Sequence, residues 1–117
     1  MISFKPDTTV YLHQQAIDFR KQINGLSMIV QESLQLDPFA ANVFVFINRG
    51  RSRIKILYWD RNGFCLWMKR LEKQKFPWPT AIREEKVIVH ARELQWLLDG
   101  FDIWKSPPHQ ALDYTSV

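Results

Sequence analysis

Acid–base, nucleophilic or metal chemistry in this chain would draw first on Asp18, Asp37 and Asp60, on His13, His90 and His109, and on Cys65. Metal-assisted phosphoryl transfer needs several acids converging on divalent cations. Each aspartate has a local explanation instead: Asp18 as a helix cap, Asp37 before Pro38 at a helix end, Asp60 as a turn former. The histidines are scattered, with no second ligand three or four residues away. Cys65 is the only cysteine, which rules out an internal disulfide and a multi-cysteine zinc site. A nucleophilic pair of Cys65 with a distant histidine is conceivable, but nothing in the spacing selects one. The residues therefore predict no catalytic centre, no metal and no cofactor.

The chemistry the chain does concentrate is that of cations. Between Arg49 and Lys75 stand nine bases: Arg49, Arg51, Arg53, Lys55, Arg61, Lys69, Arg70, Lys73 and Lys75. The only acids in that span are Asp60 and Glu72, so it carries +7, and the remainder of the chain −3, within a net charge of +4. A positive field this local attracts polyanions such as nucleic acid or an acidic protein surface. The alternative is a sheet edge carrying Lys and Arg to block aggregation. Arg49, Arg51, Arg53, Lys55, Lys69, Arg70, Lys73 and Lys75 are the predicted nucleic-acid contacts. Trp59, Trp67 and Trp78 are candidates for stacking on a base or for meeting a protein partner.

These side chains need a scaffold, and the stretch from Val43 to Leu71 supplies it. Short runs rich in Val, Ile, Phe, Tyr and Trp alternate with Asn48-Arg49-Gly50-Arg51-Ser52 and Asp60-Arg61-Asn62-Gly63. That is the pattern of a three-stranded antiparallel meander. A type I turn closed by a left-handed Gly63 would form a bulge and set Asp60 opposite Phe64. Tyr58 then lies by Leu66, Ile56 by Met68 and Ile54 by Arg70 on one face. Trp59 by Cys65, Leu57 by Trp67, Lys55 by Lys69 and Arg53 by Leu71 lie on the other. In this register two lysines face each other, an arrangement that a bound phosphate would relieve. A competing arrangement packs Trp59, Leu57 and Trp67 as a second small core under the C-terminal helix while the lysines reach outward.

Around the meander, Thr8 to Leu12 reads as a short strand. Phe19, Ile23, Leu26, Val30 and Leu34 then mark one face of a helix running from a cap at Asp18 to about Gln35. This helix is expected on the Ile54, Ile56, Tyr58, Leu66, Met68 face, with Gly25 permitting close approach to the sheet. Phe76-Pro77-Trp78-Pro79 is an extended connector that aims Trp78 at the core or at a partner. Val87 to Val89 forms a further strand, and a helix follows over about 91–99 with His90 in the cap position, Glu93 three residues on and Gly100 as its stop. Residues 1–104 make a single α+β domain and 105–117 a flexible tail. With 46% hydrophobic residues, 14% aromatic and five Trp, the chain can fill one core. It shows no internal repeat, signal peptide or membrane-spanning run, so the expected compartment is the cytoplasm.

Several stretches together resemble a known family. They are Ile54-Lys55-x-Leu57-x-Trp59-Asp60, Gly63-x-Cys65-Leu66-x-x-Lys69-Arg70-Leu71-Glu72 and Phe76-x-Trp78-Pro79. Outside the sheet, Asp18-x-Arg20-Lys21-x-x-x-Gly25-Leu26, Asp37-Pro38-Phe39 with Val43-Phe44-Val45-Phe46, and Leu94-x-x-Leu97-Leu98-x-Gly100-x-Asp102 extend the likeness. It covers roughly residues 8 to 104. The family is that of the small TnpB-type accessory proteins encoded by the second open reading frame of bacterial insertion-sequence family sixty-six. A group of RNA-guided nucleases several hundred residues long shares the name and is unrelated. The sequence departs from the family at His90, where a hydroxyl cap is usual.

The resemblance implies a protein that accompanies a separate, larger transposase and assists DNA transposition without catalysing it. The expected partners are the transposase of the same element and DNA. Two mechanisms compete: contact with nucleic acid through the basic sheet surface, and docking on the transposase as a protein–protein adaptor that never touches DNA. The second is compatible with Trp and Arg as interface anchors.

Overall fold

The computed structural model describes residues 2–105. All but the first residue of the tail expected over 105–117 lies outside the described residues. The fold is α+β: β1 (Thr9–His13), α1 (Ile23–Glu32), β2 (Asn42–Ile47), β3 (Arg53–Asp60), β4 (Gly63–Arg70), β5 (Lys86–His90) and α2 (Ala91–Leu98). The five strands form one sheet in the order β4-β3-β2-β1-β5. Only the β1–β2 pair is parallel, and α1 makes the crossover that such a pair requires. The expected meander is β2-β3-β4.

The middle of this sheet is apolar on both sides. In β2, Val43, Val45 and Ile47 point to one face while Phe44 and Phe46 point to the other, and all five are buried. Such a continuous apolar run belongs to a strand covered above and below. On one side α1 contributes Leu26 and Val30, with Leu34 following, against Phe44, Phe46 and Leu57. On the other, Leu94, Leu97 and Leu98 of α2 join Phe76, Trp78 and Ile103 over Val10, Leu12, Ile54 and Ile56.

The β3–β4 register differs by one residue from the expected one. Asp60 pairs with Gly63, so the loop has two residues, Arg61 and Asn62, and it is Arg61 that takes the left-handed conformation (φ 55°). Two-residue loops suit the right-handed twist of paired strands. Because side chains alternate, the one-residue change moves every β4 side chain to the other face. Lys55 pairs with Met68, Leu57 with Leu66, Ile54 with Lys69, and Arg53 with Arg70. Lys55 and Lys69 therefore do not face each other, and Met68 stands 53% exposed.

The face chosen by α1 also differs from expectation. It covers Leu57 and Leu66, not Ile54, Ile56 and Tyr58, which lie under α2 and the Phe76–Trp78 connector. Trp67 packs at the α2-side core and Leu57 in the α1-side core, so Leu57 and Trp67 do not share a core. The helix starts at Ile23 because Asp18 folds its carboxylate back onto the Arg20 N–H (2.9 Å), closing a local turn. It stops where Gln35 turns left-handed (φ 55°) and the Leu36 N–H reaches the Val30 carbonyl (3.0 Å). The atoms a Cβ on Gly25 would meet first belong to the Lys21 side chain, at 3.2 Å, and not to the sheet.

The second helix follows its sequence signals closely. The His90 N–H donates to Glu93 Oε1 (2.7 Å), closing the Glu93 half of a capping box. Gly100 is left-handed (φ 93°) just past the helix end.

Candidate nucleic-acid interface

The basic residues collect at one end of the sheet because three chain segments are tied together there. Asn48 opens the β2–β3 turn, and its Oδ1 accepts from the N–H groups of Ser52 and Arg53, both at 3.0 Å. Arg51 takes a left-handed backbone (φ 58°) to complete the turn. The Arg49 and Arg51 side chains are left to solvent. Below them Arg53 and Arg70 are directly paired across β3 and β4, and both are exposed. Arg70 Nε is held by Glu72 Oε2 at 2.8 Å, whereas Arg53 has no ion pair among the described residues. The segment after β4 is fastened to the same turn: the Leu71 N–H donates to Ser52 O (2.8 Å) and the Phe76 N–H to Arg51 O (2.7 Å). Exposed Lys73 and Lys75 lie on this segment.

The β1–α1 loop closes the other side of the same end. The Ile17 N–H donates to Ile47 O (3.0 Å), which holds the loop against β2. A cleft of about 420 Å³ lies between the loop and the turn, lined by Ala16, Ile17, Asp18, Phe19, Asn48, Arg49 and Gly50. Asp18 is gripped by the Arg20 guanidinium, with Nη2 to Oδ2 at 2.6 Å, and this bond holds its carboxyl well below the usual carboxylate range. No residue pattern marked this cleft, since residues 18–22 read as the first turn of a helix.

Two of the predicted contacts serve the fold. Lys55 is only 5% exposed, and its Nζ donates to the carbonyls of Phe19 and Lys21, each at 2.8 Å. Burial, with the Arg53 charge as a lesser cause, pushes its pKa down. Lys69 Nζ donates to Leu98 O (2.8 Å) at the end of α2, where a helix presents unpaired carbonyls and negative potential.

The tryptophans separate in the same way. Trp78 is 8% exposed, with Nε1 donating to Gln14 O (2.7 Å), so the connector aims it at the core. Trp67 is half-buried against the α2-side core. Trp59 sits at the far end of β3 in a three-ring cluster, 5.1 Å from Phe39 and 5.0 Å from Phe64 between centroids. Phe39 in that cluster is 54% exposed.

The catalytic candidates remain apart. Cys65 on β4 faces Tyr58 on β3 and is three strands and three residues of register from His13 on β1, on the order of 17 Å at the usual strand spacing and rise. Burial raises the Tyr58 pKa, with Cys65 beside it as a further cause. His109 lies outside the described residues. Among the described residues no three His, Cys, Asp or Glu side chains form a group able to hold a metal ion, and no helix is long and apolar enough to cross a membrane.

Comparison with known proteins places the chain. Two relatives from Sinorhizobium fredii (strain NBRC 101917 / NGR234) are 34% identical to it. Uncharacterized protein y4hO aligns over 107 residues, 92% of this chain and 91% of the relative. Uncharacterized protein y4jC aligns over 88 residues, 75% and 74% respectively. No solved structure gives a significant match. The family model described as IS66 Orf2-like protein matches residues 8–108. By that match the chain belongs to the IS66 Orf2-like family, whose members have an accessory role in transposition.

Proposed function

We propose that this protein assists transposition by contacting the phosphate backbone of nucleic acid through the basic end of its sheet, without catalytic chemistry of its own. The observation that carries this reading is the directly paired, exposed Arg53 and Arg70, joined by Arg49 and Arg51 on the adjoining turn. Like charges set opposite each other in a ladder destabilise it by a few tenths of a kcal/mol up to about 1. A phosphate between two arginines offsets that repulsion and accepts from both guanidiniums. Lys73 and Lys75 extend the positive field along the attached segment. Lys55 and Lys69 support it from within by fixing the β1–α1 loop and the end of α2. Contacts of this kind set affinity and position and carry no base identity. The DNA would be that on which the element's transposase acts.

The Phe39–Trp59–Phe64 cluster, half-buried except for its exposed Phe39, supports the second reading, in which the domain docks on the transposase as an adaptor. One preparation separates the two. Its affinity for random duplex DNA should collapse between low and moderate salt if phosphate contacts dominate. Co-purification with the transposase that persists in high salt, with no DNA shift at any salt, would replace this reading by the adaptor.

A further inference from the structure

The eight-residue strand β4 is an edge of the sheet, and its outer side has no partner among the described residues. The Leu71 N–H bonds Ser52 O at 2.8 Å, which makes Ser52–Leu71 a hydrogen-bonded pair. Alternation along an antiparallel ladder then makes Ile54–Lys69, Ile56–Trp67 and Tyr58–Cys65 bonded pairs as well. The N–H and C=O groups of Phe64, Leu66 and Met68 are consequently directed outward. Natural edge strands are usually protected by prolines, bulges, short length or charges spread along them. This one has regular pairing from Gly63 to Arg70, and its charges sit only at the final two positions, Lys69 and Arg70.

That charge placement decides what can pair with it. A parallel neighbour of the same sequence would set cation beside cation. An antiparallel copy sets them at opposite ends, where each meets the turn corner bearing one acid, Asp60, and one base, Arg61. A two-fold axis normal to the sheet keeps the α1 face of both copies on the same side, so only residues of like parity can be opposite one another. The pairing centred on Leu66 satisfies this and engages the strand from Gly63 to Lys69 in both copies. It also sets the 53% exposed Met68 against the partner's Phe64, a ring already in contact with Trp59 and Phe39. Thioether–aromatic contact of this kind is favourable.

We infer that β4 pairs antiparallel with β4 of a second copy of this chain, centred on Leu66, to form a continuous ten-stranded sheet. About six backbone hydrogen bonds close the seam. The opposite edge, β5, is a poorer template: it has five residues and opens on Lys86. The dimer is independent of nucleic-acid binding.

Cysteine cross-linking tests both the pairing and its register. In a Cys65→Ser background, Leu66→Cys places two thiols across the two-fold axis, within the roughly 4.4–6.8 Å Cα separation that a disulfide spans. Met68→Cys in the same background is the control. In this register the two Met68 positions lie four residues apart along the strand, on the order of 14 Å, and should not join. The expected result is a disulfide-linked dimer from Leu66→Cys alone under mild oxidation. Sedimentation of the parent should show a concentration-dependent dimer, with about tenfold weaker association in Met68→Lys, whose side chain is already in solvent. Equal cross-linking of both cysteine variants would overturn the register. A parent that sediments as a monomer at every concentration, with no cross-link from Leu66→Cys, would overturn the dimer.

Discussion

Lys55 caps the ring and the carbonyl of one residue at once: its Nζ lies 4.8 Å from the Phe19 ring centroid and donates to Phe19 O at 2.8 Å. A third contact, to Lys21 O, completes the set of three donors an ammonium possesses. The β1–α1 loop is thereby fastened to β3 by a side chain 5% exposed. A cation in the most basic part of the chain is in this way spent on folding.

Replacing Lys55 by Met keeps the stem and removes all three interactions. Two carbonyls lose a charged donor, so stability should fall by roughly 1–3 kcal/mol. Urea unfolding measures the loss. The salt dependence of DNA binding should stay at the parent value, because this ammonium faces inward.

The turn between β3 and β4 separates two registers by one substitution. Gly63 is not left-handed, and a Cβ there meets nothing within 4 Å. Gly63→Ala should therefore be neutral or stabilising by up to about 1 kcal/mol, through loss of unfolded-state freedom. A bulge with Gly63 left-handed would instead make it destabilising. Arg61, which does carry the positive φ, should gain about 0.5–1 kcal/mol when changed to Gly. Thermal melts of the two variants provide the comparison.

Much of the fold could be read from residue order, for reasons these positions show. Alternating β-branched and aromatic runs marked β2, β3 and β4, and Glu93 with Gly100 bracketed α2. The register was harder, because Asp60-Arg61-Asn62-Gly63 suits either a bulged Gly63 or a two-residue loop, and the choice rests on a left-handed arginine that no propensity favours. The face of α1 followed the same ambiguity, since β2 is apolar on both sides and offers a helix two surfaces. In the candidate site the concentration of bases was plain from composition. That Lys55 and Lys69 are used internally was not, because the carbonyls they reach lie 36 and 34 residues away for Lys55 and 29 for Lys69.

Acid should loosen the protein through His13. Its Nδ1 donates to Gln15 O (2.8 Å), and in the neutral ring that burial favours Nε2 accepts from the Ser33 hydroxyl (3.2 Å). Burial lowers its pKa below the ordinary 6.5, outweighing the bond to Gln15 and the charge of Glu85. The unfolded chain then binds the proton more readily than the folded one. The contribution is fully present above pH 6.5 and is lost as pH falls from there through the folded-state value. Melting temperature against pH should decline on that side in the parent and decline less in His13→Gln.

Trp78 should behave as a core residue. Trp78→Phe loses the bond to Gln14 O and should cost about 1–2 kcal/mol, and Trp78→Ala about 3–5 kcal/mol by opening a cavity. Denaturant titration gives both values. Affinity for DNA per folded molecule should be unchanged in Trp78→Phe.

In the proposed function the arginines of the β2–β3 turn and the start of β3 contact phosphate. Its most direct test is the slope of log affinity for duplex DNA against log salt, in the parent and in the folded triple variant Arg49→Gln, Arg51→Gln, Arg53→Gln. All three side chains are exposed, so the variant should melt within about 0.5 kcal/mol per site of the parent. Binding should weaken for every sequence alike, with the slope reduced in magnitude by roughly 2–3. An unchanged slope in the folded variant, or no binding by the parent at any salt, would contradict it.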